Sequence, residues 1–216
     1  LHPELIFFLF IGIVVCAAVL SYYFDRKRTA AMRAVATSMG FNFVASDFDF
    51  IRTVKAFPLF THGRRTKGKN IIRGNANGVD VTILDYQYTT GSGKNSRTWK
   101  QTIMMFKSGA LRLPCFALRP ESLFAKIGQV FGYQDIDFAS NPSFSRQYLL
   151  RGEPEEEIRR VFNGNVLSFL EKRSGLSVEG DEDGLLFYRV ARLVAPDRIK
   201  PLLEEGFGLF SLLRST

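Results

Sequence analysis

The sequence predicts an α+β protein: an N-terminal transmembrane helix followed by an antiparallel sheet packed with amphipathic helices. Three observations lead there. Leu5 to Phe24 is a run of 20 residues without a charge. Between residues 70 and 118, apolar and β-branched segments alternate with turn residues. From residue 120 onward, apolar residues recur at helical spacing.

The apolar run comes first. At about 1.5 Å rise per helical residue it reaches roughly 30 Å, the thickness of a bilayer's hydrocarbon core. A helix satisfies every backbone group inside lipid. Tyr22 and Tyr23 stand where an interfacial aromatic belt belongs, and Asp25-Arg26-Lys27-Arg28 follows at once. A cleaved signal peptide would carry a basic leader, but Leu1-His2-Pro3-Glu4 has no Lys or Arg, and Ala17 and Ala18 lie mid-run. The expectation is an uncleaved anchor. Arg26, Lys27, Arg28 and Arg33 fall just after the span and nothing basic precedes it, so the positive-inside rule puts the N-terminus outside and the following domain in the cytoplasm. Good helix formers continue to Met39, and Gly40 is a natural residue just past a C-terminus. The chain therefore divides into residues 1–40, an anchor with a basic neck, and residues 41–216, a soluble α+β domain.

Within that domain a short strand is expected at Phe41–Val44, and the type of the segment ending Phe57-Pro58-Leu59-Phe60 stays open. Strands are expected at Asn70–Asn75, Val79–Tyr88 and Arg97–Lys107, the first two joined by the hairpin signal Asn77-Gly78. A loop over Thr89–Ser96 would complete an antiparallel meander. Cys115–Leu118 reads as a fourth strand, turning at Pro120-Glu121 into a helix that carries Leu123, Phe124, Ile127, Val130 and Phe131 on one stripe. Pro154 and three glutamates open a helix that runs to Leu170, with a weak point at Asn163-Gly164. Leu176–Glu179 and Leu185–Val190 read as a second hairpin across Asp181-Glu182-Asp183-Gly184. A last helix starts at Pro196 or Pro201 and ends at Leu213.

Charge is uneven. Residues 1–112 hold 16 Lys and Arg against 6 Asp and Glu, and residues 113–216 hold 13 against 15. The basic half is the half next to the anchor, where each cation near an anionic leaflet contributes about 1 kcal/mol. A lipid bilayer is thus the first partner expected, and nucleic acid is not. His62 to Lys69 reads as a basic loop, with Arg64, Arg65, Lys67 and Lys69 as the cations of an anionic-lipid contact.

No motif carries catalysis. Thr90-Gly91-Ser92-Gly93-Lys94-Asn95-Ser96 fails as a phosphate loop, because Tyr88 stands where glycine is needed and Asn95 where Ser or Thr is needed. Cys115 with His62 is a thiol–imidazole pair in composition alone, and Cys115 sits in an apolar strand that favours an inert thiol. With two histidines, a His-based metal site is not expected, and Asp135-Ile136-Asp137 and Asp181-Glu182-Asp183 lack an EF-hand pattern. No cofactor is expected. Asp80, Asp85 and Glu121 are the carboxylates a hydrolase would draw on, and nothing in the sequence brings two of them together.

Some segments are more specified than a plain surface needs: Phe57-Pro58-Leu59-Phe60-x-x-Gly63, Asp85-Tyr86-x-Tyr88-Thr89-x-Gly91, Leu113-Pro114-x-Phe116-x-Leu118-Arg119-Pro120-Glu121, and Asp137-Phe138 with Phe144-Ser145. They nominate Asp85, Tyr86, Tyr88, Arg119 and Glu121 as a functional surface. Arg119-Pro120-Glu121 is equally readable as a corner with a local ion pair. Through these segments, and over its whole length, the chain resembles a bacterial, single-pass, membrane-anchored family of unknown function. The resemblance implies a bacterial cytoplasmic membrane and brings no activity, cofactor or catalytic residue. With 21 phenylalanines in 216 residues, an aromatic core is the simplest expectation, and an interface or greasy cleft the sharper one. The function expected is binding: an accessory or scaffold component with a membrane protein partner or a second copy. Lipid or small-ligand sensing and a membrane-bound hydrolase stand as alternatives.

Overall fold

A computed structural model describes residues 3–47, 50–54, 57–123 and 134–214. Helix α1 spans Pro3–Met39 without a break. From Ile6 to Phe24 its side chains are exposed on every face, and it is long and apolar enough to cross a membrane. Its C-terminal part is different, with Met32 and Ala36 fully buried in the domain core. Gly40 ends it at φ 68°. The Gly40 amide bonds to the Thr37 carbonyl and the Phe41 amide to the Ala36 carbonyl, the paired bonds of a Schellman cap.

Eight strands follow: β1 (Asn42–Ser46), β2 (Arg64–Ala76), β3 (Val79–Thr90), β4 (Arg97–Lys107), β5 (Leu113–Pro120), β6 (Tyr148–Glu153), β7 (Ser177–Glu182) and β8 (Gly184–Tyr188). They form one sheet in the order β1-β2-β3-β4-β8-β7-β5-β6, with every pairing antiparallel. The meander β2-β3-β4 is the expected one, and Asn77 and Gly78 turn its first hairpin with positive φ at both positions.

The short helices are α2 (Phe50–Thr53), α3 (Pro58–Thr61), α4 (Pro142–Gln147), α5 (Glu155–Val161) and α6 (Gly164–Glu171), and α7 (Ile199–Arg214) is the long C-terminal one. One face of the sheet holds the larger core, shared by the end of α1 and by α4 to α7. The other face carries a smaller cluster beneath the segment of α2 and α3, rich in aromatics.

Several expectations change. Most of the basic segment 62–69 is strand rather than loop, because β2 begins at Arg64 and absorbs irregularities between Arg64 and Lys67 and between Lys69 and Ile72. The helix expected to Leu170 is two helices. Phe162 leaves helical geometry and the Asn163 side chain caps the second by accepting from the Asn165 and Val166 amides. Pro120 ends β5 rather than starting a helix, and Glu121–Leu123 is one 3-10 turn. The remainder of the helix expected through Phe131 lies outside the described residues. The last helix starts at Ile199 after a 3-10 turn at Pro196–Arg198, so Pro201 sits in its first turn, where a missing amide hydrogen is harmless. Strand β6 and helix α4 are additions that the sequence did not announce.

Candidate functional site

The most elaborate polar arrangement joins the C-terminal part of α1 to the sheet. A one-residue irregularity in β2 pairs Lys69 with Asp85 and then Ile72 with Ile83, and Asn70 adopts φ 51° inside it. That extra residue turns Asn70 toward Asp85, where its Nδ2 donates to Oδ2 at 2.8 Å. Thr102 of β4, directly across from Asp85, donates to Oδ1 at 2.9 Å. Arg28 of α1 completes the set as a fork, with Nε to Oδ2 and Nη2 to Oδ1, both at 2.7 Å. Its third nitrogen, Nη1, donates to the Val194 carbonyl at 2.9 Å, and the Val194 amide donates to Thr102 Oγ1 at 3.0 Å. Four side-chain donor bonds converge on one buried carboxylate from three elements. A bidentate guanidinium in this setting is geometrically demanding and holds the helix against the sheet. Asp25 and Lys69 add an exposed pair at 2.9 Å, which contributes little energy by itself.

This clamp also gives direction. Arg28 lies over Asp85, while Phe41 lies against Gly74, whose strand partner is Val81. Following α1 back toward Phe24 therefore leads along β3 toward Thr90. The end of the sheet on the side of the apolar run carries Arg64, Arg65, Lys67, Lys69, Lys94, Arg97 and Lys100, so the cations nominated from the sequence are gathered with three more. Lys67, Lys69 and Lys100 edge a cavity of about 50 Å³ against Asp25 and Arg28. Arg26 bonds Tyr22 one turn back at 2.8 Å, Arg33 covers the Phe43 ring, and Lys27 is exposed.

A second polar group is buried on the other face. Glu179 of β7 is fully buried and accepts from Arg119 Nη2 at 2.5 Å, from the Tyr188 hydroxyl at 2.7 Å and from the Leu59 amide at 3.0 Å. Arg119 also donates to the Tyr188 hydroxyl. The Phe57–Phe60 segment is thus tied down through a backbone amide, and Phe60 begins a row of rings through Tyr86, Tyr88 and Trp99. Burial pushes the Tyr188, Tyr86 and Tyr88 phenols above their ordinary range.

The nominated surface is consequently split. Asp85 belongs to the clamp, Tyr86, Tyr88 and Arg119 are buried on the opposite face, and Glu121 is exposed at the turn after β5. The ion pair of Arg119 runs to Glu179, 60 residues away, instead of to Glu121. The sequence does not single out Glu179, because β7 reads Ser-Val-Glu-Gly-Asp-Glu and its one buried acid stands beside Asp181 and Glu182. Cys115 and His62 are far apart: β2, which His62 precedes, and β5 are five strand spacings apart, about 24 Å. Burial also raises the Cys115 thiol pKa, which suits an inert residue. Among the described residues no group of three or more His, Cys, Asp or Glu side chains is placed to hold a metal.

Comparison with known proteins adds the fold. No family model matches the chain, and no curated protein matches its sequence. A solved structure does match: the crystal structure of the mycobacterial trehalose monomycolate transport factor A, TtfA, with a TM-score of 0.66 at 13% identity. The match covers 88% of this chain and 96% of that one. The two share an architecture.

Proposed function

We propose that this chain is a bacterial single-pass membrane protein whose α+β domain lies in the cytoplasm and works by binding, as a scaffold or accessory component of a larger membrane assembly. The observation that carries this reading is the clamp. The anchor helix enters the domain without a linker, and Arg28 fastens it to Asp85, Thr102 and Val194. A merely tethered enzyme gains nothing from a fixed angle to the bilayer, whereas a subunit that must present one surface to a membrane neighbour does. The basic residues after the span support the orientation. A fold shared with a transport factor is consistent with an accessory role. The partner is a membrane protein or a second copy of the chain.

The test is a mild-detergent purification of the full chain from its native membranes with quantitative mass spectrometry. A stoichiometric partner, lost in Arg28→Ala while the variant stays membrane-bound, is the expected result. A solitary monomer under every condition would sink the reading. A reporter fused after Thr216 checks the orientation.

A second reading has its own support. The cations at the anchor-side end of the sheet, Arg64, Arg65, Lys67 and Lys69 among them, favour contact with anionic lipid. Here the expected outcome is tighter association of the domain face with anionic than with neutral nanodiscs, weakened by salt.

A further inference from the structure

The richest unassigned feature is an open groove of about 650 Å³ between the end of α6, the segment after β8 and the start of α7. Five cationic side chains line it: Lys172, Arg173, Arg189, Arg192 and Arg198, against one carboxylate, Glu205. Glu205 does not neutralise the groove so much as organise it. It takes Arg173 on Oε1 at 3.2 Å, and Arg189 Nη2 reaches both of its oxygens at 3.3 Å. Arg173 is further fixed by its bond to the Phe169 carbonyl at 3.0 Å and by lying 3.7 Å from the Phe169 ring centroid. Two guanidinium groups are thus oriented before any ligand arrives, which lowers the entropy cost of binding. Lys172, Arg192 and Arg198 make no side-chain ion pair among the described residues.

The location is equally informative. Leu193 and Val194 form one wall, and Val194 is the residue whose carbonyl holds Arg28. Arg28 lies four residues beyond Phe24, about 6 Å along the helix axis, and helical side chains lean toward the N-terminus. The Val194 wall of the groove therefore stands within about a Debye length of the level at which the apolar run ends, while its α7 side, next to Lys200, extends toward Ser38 at the other end of α1. Its wall shows Leu193 39% exposed, one of two large apolar side chains exposed outside α1 among the described residues. Pro201 and Leu202 continue the apolar lining beside the cations.

We infer that this groove is an anion site for a phosphate group, with an anionic lipid headgroup as the source its position favours and a free phosphate as the other. Guanidinium forks match phosphate oxygens two at a time, and the apolar wall suits the glycerol and upper acyl region that accompanies a headgroup. The lipid source rests on the membrane-anchor reading, and the phosphate chemistry does not.

The experiment uses the full chain in mild detergent. Native mass spectrometry with added phosphatidylglycerol or phosphatidylcholine reads lipid retention, and a thermal shift with inorganic phosphate reads the soluble source. Arg192→Glu with Arg198→Glu is compared with Arg112→Glu and Arg160→Glu, an equal charge change on exposed residues outside the groove. Retention of phosphatidylglycerol over phosphatidylcholine, weakened roughly tenfold or more by the groove pair and kept by the control pair, is the expected result. A phosphate-dependent shift abolished by the groove pair, without lipid preference, supports the site and assigns it to a soluble ligand. A groove pair that behaves like the control pair in both assays overturns it. Alkaline extraction of the chain from membranes would speak against the anchor alone.

Discussion

At the residue scale, two buried carboxylates organise the molecule, and each is held by one arginine from a distant part of the chain. Removing Arg28 leaves Asp85 buried with Asn70 and Thr102 but without a cation. Arg28→Ala is expected to destabilise the domain by about 3 kcal/mol, because an uncompensated buried charge costs more than the pair itself contributes. Arg28→Lys keeps the charge but loses the fork, and it should fall between. Adding Asp85→Ala to Arg28→Ala should cost less than the sum, which thermal unfolding of the four chains of the cycle measures directly. Hydrogen exchange across residues 25–31 should rise in Arg28→Ala, and unchanged exchange there would show that Arg28 does not hold the helix to the sheet. The tyrosines give a pH prediction. Burial raises the phenol pKa of Tyr86, Tyr88, Tyr148 and Tyr188 in the folded state. Their contribution is therefore intact below the unfolded value near 10 and is lost as pH climbs through the raised folded values. Tyrosinate absorbance from this set should appear together with loss of circular dichroism above about pH 10; smooth ionisation of a still-folded chain would contradict it.

At the element scale, what could be read from the sequence depended on whether the signal was local. The long apolar helix, its glycine stop and the Asn-Gly hairpin are written in contiguous residues, and each appears where expected. Strand β2 was read partly as a loop because its basic residues lie at an exposed sheet end, and exposed strand segments look like loops in composition. Strand β6 escapes the sequence for another reason: burial alternates cleanly along Tyr148–Glu153, but Gly152 takes one inward position and Leu149 an outward one, so residue type does not follow the alternation. The site was less legible still. Asp85 was singled out, but its partners are 57, 15 and 17 residues away, and register alone brings them together. The break between α5 and α6 makes a test of local coding. Asn163→Ala removes the side chain that accepts two amides and should cost about 1 kcal/mol, whereas Asn163→Gly should cost a few tenths. Helix–sheet contact makes another. A Cβ on Gly206 would lie 2.5 Å from the Phe106 ring, so Gly206→Ala should lower the melting temperature despite its better helix propensity. A rise in melting temperature would mean that α7 and β4 can separate without penalty.

At the scale of the whole molecule, the question is where the packed domain begins. By composition, the segment up to Gly40 belongs with the apolar run, since it is helical, basic and continuous with it. Packing says otherwise for part of it. Met32 and Ala36 are in the main core with Ile72, Val81 and Phe106, and Arg28 fills the polar site above them. The same helix therefore has two surfaces, exposed apolar side chains all round from Ile6 to Phe24 and then one apolar stripe against the sheet. A chain beginning at Asp25 keeps the stripe and the clamp and discards the exposed apolar run. It is expected to be soluble, monodisperse and cooperatively folded without detergent. A chain beginning at Phe41 loses Met32 and Ala36 from the core, leaves Asp85 without Arg28, and uncovers an apolar strip along β1 to β3. Each buried apolar side chain lost costs about 2 kcal/mol, and the orphaned carboxylate adds to that, against a total stability of about 5–15 kcal/mol for a domain of this kind. The shorter chain should aggregate or unfold in the absence of detergent, and comparing the two by size-exclusion chromatography and thermal melting decides the boundary. Equal behaviour of the two would mean that the neck rests on the domain without supporting it, and the fixed pose on which the proposed scaffold role depends would then have no structural basis.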